Sequence, residues 1–244
     1  MTHNVAPTRD LPRTASTSAA PGTAAPGWPE FGVGIAAYAI LIGAGILVIV
    51  SMPDEQSVAR GIVSYAVSAL AGIGAFAAAV AVRIRGLHAF GIRRVAGKWL
   101  LLGAGLGLGA YLLNILVAVG YVTVTGDATT PQGDYSAAAS GGALAFVLAI
   151  LFGAIATPIG EEFLFRGVLA NALGRYGAWV GVIGSSAIFA LAHGVNIILP
   201  IAFVVGITAA LLLRKTGSIW PGVFVHGVNN ATAVLVPAVI SLMS

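Results

Sequence analysis

Long stretches without a charged residue constrain this chain more than any other feature. A helix that crosses a membrane needs about 20 consecutive apolar residues, and six uncharged stretches beyond Glu30 reach that length. These stretches are 31–53, 61–82, 99–126, 135–160, 176–213 and 216–244. Only 8% of the 244 residues are charged, against about 25% in a soluble domain, and the chain has no cysteine for a disulfide-rich secreted fold. We therefore predict an all-α fold, that of a polytopic helical membrane protein.

The lengths of the stretches predict the number of helices. The stretch 176–213 is nearly twice as long as one crossing requires. Gly194, Asn196 and Pro200 lie in its middle, and such residues are typical of a break between helices. We therefore predict about seven transmembrane helices, three within 31–139 and four within 140–244. Their approximate bounds are 31–52, 61–82, 99–123, 142–172, 179–196, 199–213 and 219–240.

The first 30 residues differ in composition from the rest of the chain. They contain five of its 11 prolines, among many Ala, Ser and Thr residues. This composition is typical of a disordered segment that cannot bury a hydrophobic core. We predict a disordered tail over residues 1–30, on the cytoplasmic side of the membrane.

The basic residues predict the orientation of the helices, because Lys and Arg concentrate in cytoplasmic loops. The loop between the second and third predicted helices contains five of the 12 basic residues, namely Arg83, Arg85, Arg93, Arg94 and Lys98. Placing this loop inside gives a plasma-membrane protein with a cytoplasmic N-terminus and an external C-terminus, and leaves Arg60 as an exception. We attribute the positive charge to topology and to contact with membrane lipids, not to nucleic-acid binding.

Carboxylates inside the predicted helices are candidates for function, since each costs at least about 2.5–3.5 kcal/mol to place in a membrane. Glu162 and Arg166 are four residues apart and can form an ion pair on one helix. Glu161 has no such partner on its own helix. Successive helical residues differ by about 100° in direction, so the two carboxylates are expected to face different surroundings.

Two further pairs place imidazole groups on late helices. Phe189 and His193 are four residues apart, as are His226 and Asn230, so each pair shares one helix face. In an antiparallel hairpin of the fourth and fifth helices, His193 lies level with Glu161. A carboxylate beside two imidazoles and an amide can activate a water molecule and stabilise an oxyanion. The pattern therefore indicates hydrolytic chemistry.

The same residues leave a metal site open as an alternative. Glu161, His193 and His226 carry the kinds of ligand atom that zinc accepts, and a catalytic zinc keeps one position for water. The H-E-x-x-H signature of zinc peptidases is absent. The spacing therefore leaves zinc as a candidate cofactor without establishing it.

Three motifs in this order resemble the CPBP intramembrane proteases, a family that includes the type II CAAX prenyl endopeptidases and bacterial relatives linked to bacteriocin processing or immunity. The motifs are Glu-Glu-x-x-x-Arg at 161–166, Phe-x-x-x-His at 189–193 and His-x-x-x-Asn at 226–230. The resemblance covers about residues 140–235. It implies an endopeptidase whose substrate is a membrane-associated protein or peptide, a prenylated CAAX protein in typical eukaryotic members. We expect cleavage near the cytoplasmic face.

The resemblance also implies roles for the catalytic candidates. Glu161 would activate the attacking water, and His193 would orient that water or bind a metal with it. His226 and Asn230 would stabilise the oxyanion. The family is commonly called a metalloprotease, and a metal-free glutamate mechanism is also argued for it; the sequence agrees with either.

The remaining motif residues have supporting roles under the same resemblance. Glu162 with Arg166 would hold the site or the substrate, and Phe189 is interpreted as core packing. The first three helices are expected to add only a membrane scaffold. Two alternatives to the protease stay open, a non-catalytic bacteriocin-immunity or scaffold protein and, less favoured, a proton-coupled transporter with the two carboxylates as ion relays.

Overall fold

The computed structural model describes residues 25–126 and 131–243, and all regular secondary structure within them is helical. The described helices are α1 (Trp28–Val50), α2 (Ser57–Val82), α3 (Gly97–Thr125), α4 (Gly133–Ser140), α5 (Ala143–Gly174), α6 (Ala178–Ala192), α7 (Ile198–Thr216) and α8 (Trp220–Met243). Short 3₁₀ turns at Asp54–Gln56 and Leu87–Phe90 precede α2 and α3. Most of the predicted disordered tail, residues 1–24, lies outside the described residues.

The predicted all-helical membrane fold is confirmed. Among the described helices, six are long and apolar enough to cross a membrane, namely α1, α2, α3, α5, α7 and α8. The predicted fifth helix is present as α6 but has only 15 residues. At 1.5 Å per residue α6 spans about 22 Å, less than the ~30 Å of a bilayer's hydrocarbon core.

Large apolar side chains cover the outside of the helical bundle. Leu47 on α1 is 70% exposed and Leu101 on α3 is 77% exposed. Soluble proteins rarely expose wide apolar patches, whereas such side chains match the apolar interior of a bilayer. The helical surface is therefore that of an integral membrane protein.

The first helix begins inside the predicted tail. α1 starts at Trp28, three residues before the predicted start, and buries Glu30 in its first turn. Glu30 forms an ion pair with Arg83 at the end of α2, with 2.7 Å between Oε1 and Nε. Trp28 Nε1 donates a hydrogen bond to the hydroxyl of Tyr176 at 2.6 Å. The start of α1, the end of α2 and the turn from α5 to α6 therefore lie at one end of the bundle.

The connection from α7 to α8 lies at that same end. Ser218 Oγ donates to the carbonyl of Arg93 at 2.8 Å, and the Ile219 amide donates to the carbonyl of Gly91 at 3.0 Å. These bonds tie the connection to the loop between α2 and α3. We call this the basic end; its basic residues are Arg83, Arg85, Arg93, Arg94, Lys98, Arg175, Arg214 and Lys215.

Arg60, the exception in the predicted topology, lies at the other end and is neutralised there. It forms ion pairs with Asp54 and with Asp134, the latter with 3.0 Å between Nε and Oδ2. An arginine held by two carboxylates adds no net positive charge to its side. The predicted grouping of loop charges therefore holds within the described residues. Arg166, which was predicted to lie with the basic residues of that side, is instead fully buried inside the bundle. Which end faces the cytoplasm stays a prediction.

Candidate active site

The helix that carries both glutamates is irregular. In α5, two π-helical segments, Ile150–Ala156 and Phe163–Ala170, flank an α-helical stretch over Thr157–Glu162. Pro158 lies at the start of that stretch. A proline inside a helix has no N–H to donate and its ring displaces the carbonyl four residues earlier, so the preceding turn widens.

Glu162 and Arg166 form the predicted ion pair in the interior of the bundle. Glu162 Oε1 is 3.1 Å from Arg166 Nη1, and both side chains are fully buried. The guanidinium of Arg166 also lies over the ring of Phe189, with Cζ 4.4 Å from the ring centroid, a cation–π contact. Arg166 therefore compensates the charge of Glu162 in the buried interior of the bundle.

His226 of α8 joins the two carboxylates. Its Nδ1 lies 3.4 Å from Glu162 Oε1, and its Nε2 lies 3.8 Å from Glu161 Oε2. The carboxylates face different surroundings, as predicted, but the same imidazole lies between them. A separation of 3.8 Å is too long for a direct hydrogen bond and short enough for one water molecule to contact both groups.

Glu161 is held in place by α2. Ser68 Oγ donates a hydrogen bond to Glu161 Oε1 at 2.6 Å. The second oxygen, Oε2, accepts no hydrogen bond from the described residues, although the side chain is 2% exposed. A carboxylate that is fixed through one oxygen and keeps the other for a ligand is suited to act as a general base.

His193 lies at the end of α6 with one nitrogen engaged. Its Nδ1 is 2.9 Å from the carbonyl oxygen of Phe189. A carbonyl only accepts hydrogen bonds, so in the neutral ring Nδ1 carries the proton and Nε2 is an acceptor. Phe189 is buried, which agrees with its interpretation as core packing, and its ring contacts both His193 and His226, with centroids 4.7 and 5.5 Å away. Phe189 thus fixes the positions of both imidazoles.

Asn230 connects α8 to the distorted part of α5. Its Nδ2 donates to the carbonyl of Gly153 at 3.0 Å, and its Oδ1 accepts from Asn229 at 3.2 Å. Asn229 in turn accepts a hydrogen bond from Asn114 of α3 at 2.8 Å. The amide of Asn230 has two N–H donors, and Gly153 uses one of them.

The four predicted catalytic residues line one groove of about 570 Å³. They are Glu161, His193, His226 and Asn230, and Phe189 lines the groove with them. Glu162 and Arg166 do not line the groove. They contact residues that do, Glu162 through His226 and Arg166 through Phe189. Glu161 and His193 therefore line the same groove, and their equal depth in the membrane stays a prediction.

Residues outside the motifs complete the groove. Tyr38 of α1, Ser68 of α2, and Tyr111 and Asn114 of α3 belong to its lining. The expectation that the first three helices add only a scaffold is therefore wrong. A sequence signal existed on α2, because Ser68 lies four residues after Ser64 and both share one face of an otherwise apolar helix.

The short helix α4, which the sequence did not predict, also contributes to the groove. Tyr135 of α4 belongs to the lining. Desolvation raises the pKa of Tyr135, and the charge of Glu161 raises it further. The phenol therefore stays protonated at neutral pH and can donate a hydrogen bond.

The groove extends from Glu161 away from the basic end. Its lining includes Ile46 and Ile49 late in α1, Gln132 just before α4, and Pro237 late in α8. These residues share the end at which Arg60 lies. Neither Lys nor Arg is among the described residues that line the groove.

The donor geometry does not fit a metal site. Within the part of the chain that the structure describes, no three His, Cys, Asp or Glu side chains are grouped so as to hold a metal ion. His193 can offer only Nε2, because its Nδ1 donates to a carbonyl, and the described side chains do not group this nitrogen with Glu161 and His226 as a metal ion would require. The zinc alternative drawn from Glu161, His193 and His226 therefore has no support in these contacts.

The fold and the site together define a helical membrane protein with a buried carboxylate–imidazole centre that lines a groove. Residues 143–232 match the family model described as Type II CAAX prenyl endopeptidase Rce1-like, and this segment is a domain of that family. The matched segment runs from α5 into α8 and contains all three motifs. The predicted resemblance is confirmed, and the family implies a protease. No curated protein and no solved structure matches the chain.

Proposed function

We propose that the protein is an intramembrane endopeptidase that hydrolyses a peptide bond with water activated by Glu161. One observation carries this proposal: of the two adjacent carboxylates, only Glu161 lines the groove. Its Oε2 is buried without a hydrogen bond among the described residues. Glu162, in contrast, is compensated by Arg166.

The contacts support a direct attack by water. Glu161 Oε2 accepts a proton from a water that His193 Nε2 orients, and the water oxygen bonds to the scissile carbonyl carbon. The carbonyl electron pair moves to oxygen, and His226 and Asn230 donate hydrogen bonds to that oxyanion. When the tetrahedral intermediate collapses, the C–N bond breaks and Glu161 returns the proton to the leaving amine. The products are a carboxylic acid and an amine.

The lining of the groove supports an amphipathic substrate. Ile42, Ile46 and Ile49 present a row of apolar side chains from α1, and Gln132 and Tyr135 present polar groups from the region of α4. A membrane-associated peptide with a large apolar group matches this division. A peptide with a prenylated CAAX-type end is one such substrate.

Peptide cleavage by the purified protein tests the proposal. We would give the detergent-solubilised full chain a panel of internally quenched peptides that end in a CAAX-type sequence, each with and without a farnesyl or geranylgeranyl group. We expect cleavage of at least one peptide, with new termini identified by mass spectrometry. If peptides of the panel bind but none is cleaved, the result would contradict the proposed protease activity and support a non-catalytic scaffold protein.

Orientation is a second part of the proposal. If the basic end is cytoplasmic, as the positive charges predict, the groove leads to Glu161 from the outer side of the membrane. This differs from the expectation of cleavage near the cytoplasmic face, because the lining residues come from the end opposite to the basic residues.

Cysteine labelling measures this orientation, since the chain has no cysteine of its own. In intact cells we expect a membrane-impermeant maleimide to label Ser136→Cys at the groove and not Arg85→Cys at the basic end. Permeabilised cells, in which both variants react, provide the control. Labelling of Arg85→Cys alone in intact cells would reverse the proposed orientation.

A further inference from the structure

A second cleft lies at the basic end, far from the groove. It has a volume of about 330 Å³ and is lined by the end of α5, the first turns of α6, the end of α7 and the loop before α3. The cleft and the groove share no lining residue. The proposed hydrolysis therefore does not account for it.

The cleft carries positive charge without a compensating acid. Arg93 and Arg214 line it, and no Asp or Glu is among its described lining residues. Within the described chain neither arginine forms an ion pair with a carboxylate. Arg93 Nε donates to the carbonyl of Gly217, which orients the guanidinium and leaves its remaining N–H groups as donors.

The small size of many lining residues keeps the cleft open. Small residues form much of its wall, namely Gly174, Ala178, Gly181 and Ala210. Ala178 is the first residue of α6, so the positive end of a helix dipole borders the cleft. Two arginines and a helix N-terminus around an open space are the features that favour a phosphate group.

Aromatic side chains place the cleft at the level of lipid headgroups. Trp179 and Tyr176 are 59% and 58% exposed beside it, and exposed Trp and Tyr concentrate at membrane–water interfaces. The guanidinium of Arg214 lies over the ring of Trp179, with Cζ 5.3 Å from the ring centroid. This contact holds Arg214 at the interface, where lipid phosphates lie.

We propose that this cleft binds the phosphate group of an anionic phospholipid. A basic pocket between transmembrane helices at the cytoplasmic surface is a known mode of headgroup recognition. A free phosphate offers the same chemistry, and the level of the aromatic side chains favours the lipid. The proposal does not depend on the proposed protease activity.

Lipid binding to the full-length protein in neutral detergent tests this proposal. Native mass spectrometry would measure binding of phosphatidylglycerol, with phosphatidylcholine as the zwitterionic comparison. We expect Arg214→Gln to weaken phosphatidylglycerol binding about tenfold, as the loss of a charge-assisted hydrogen bond to the phosphate predicts. Lys215→Gln removes the same charge from the neighbouring residue, which does not line the cleft, and should leave binding unchanged.

A second cleft variant and a competition with inorganic phosphate complete the experiment. Ala178→Leu fills the cleft from an exposed position without changing its charge, and should also weaken phosphatidylglycerol binding. The cleft would not be the binding site if Arg214→Gln and Lys215→Gln weakened phosphatidylglycerol binding equally. The same conclusion would follow if neither Arg214→Gln nor Ala178→Leu weakened it. Displacement of phosphatidylglycerol by millimolar inorganic phosphate would contradict the proposal that the ligand is a lipid and would identify a soluble phosphate as the ligand.

Discussion

Replacing Glu161 with glutamine is expected to lower peptide cleavage by about 10²- to 10⁴-fold, the contribution of a general base. Glutamine keeps the size of the side chain and can still accept the hydrogen bond from Ser68 to Oε1, but it cannot take a proton from water. We therefore expect kcat to fall while the thermal unfolding of the protein in detergent stays the same. The measurement is the initial rate of product formation with any peptide that the unmodified protein cleaves.

The matched control for this variant is Glu55→Gln. Glu55 is exposed in the turn before α2 and lies outside the groove, so its replacement should leave the rate unchanged. Ser68→Ala should give an intermediate result, about a tenfold lower kcat with KM little affected, because a hydrogen bond to a charged carboxylate is worth at least about 1.5 kcal/mol. Cleavage at the original rate by Glu161→Gln would show that Glu161 is not the base.

Replacing Arg166 with methionine is expected to destabilise the folded protein by about 3–5 kcal/mol, the usual effect of removing one partner from a buried ion pair. The variant leaves Glu162 in the interior without its cation and removes the contact with Phe189. Thermal or denaturant unfolding in detergent measures the change. Arg85→Met, at an exposed position, should change stability by less than about 0.5 kcal/mol.

A double variant separates the ion pair from the packing of Arg166. Glu162→Gln combined with Arg166→Met removes both charges, so we expect it to be more stable than Arg166→Met alone. If the double variant were less stable by the sum of the two single effects, the pair would contribute no coupling. That result would contradict the view that Arg166 is buried to compensate Glu162.

The sequence predicted the motif residues well because intramembrane polar residues are rare. Glu161, His193, His226 and Asn230 stood out against apolar helices, and the structure places all four in one groove. The pair of Glu162 and Arg166 followed from helical spacing alone. These contacts depend on periodicity within a helix, or on a hairpin of two neighbouring helices, and such patterns are readable from one chain.

Contacts between helices far apart in the sequence could not be predicted from helical periodicity. Ser68 reaches Glu161 across 93 positions, and a serine in an apolar helix has many structural explanations. Likewise, the π-helical segments around Glu161 depend on how α5 packs, although Pro158 gave a local signal. α4 was missed because its eight residues are too few for a crossing and include the weak helix formers Gly and Asp.

The shortness of α6 has a consequence for the supply of water. α6 ends at Ala192 and α7 begins at Ile198, so residues 193–197 connect the two helices with non-helical backbone beside the groove, whose lining includes His193 and Ile198. The side chain of Asn196 satisfies two backbone groups of the turn. It accepts a hydrogen bond from the Ile198 amide at 2.8 Å and donates one to the His193 carbonyl at 2.9 Å. Non-helical backbone among transmembrane helices is tolerated where it borders a water-filled cavity. Every peptide bond hydrolysed consumes one water molecule, and we expect that water to reach His193 along the groove at this turn, without crossing lipid.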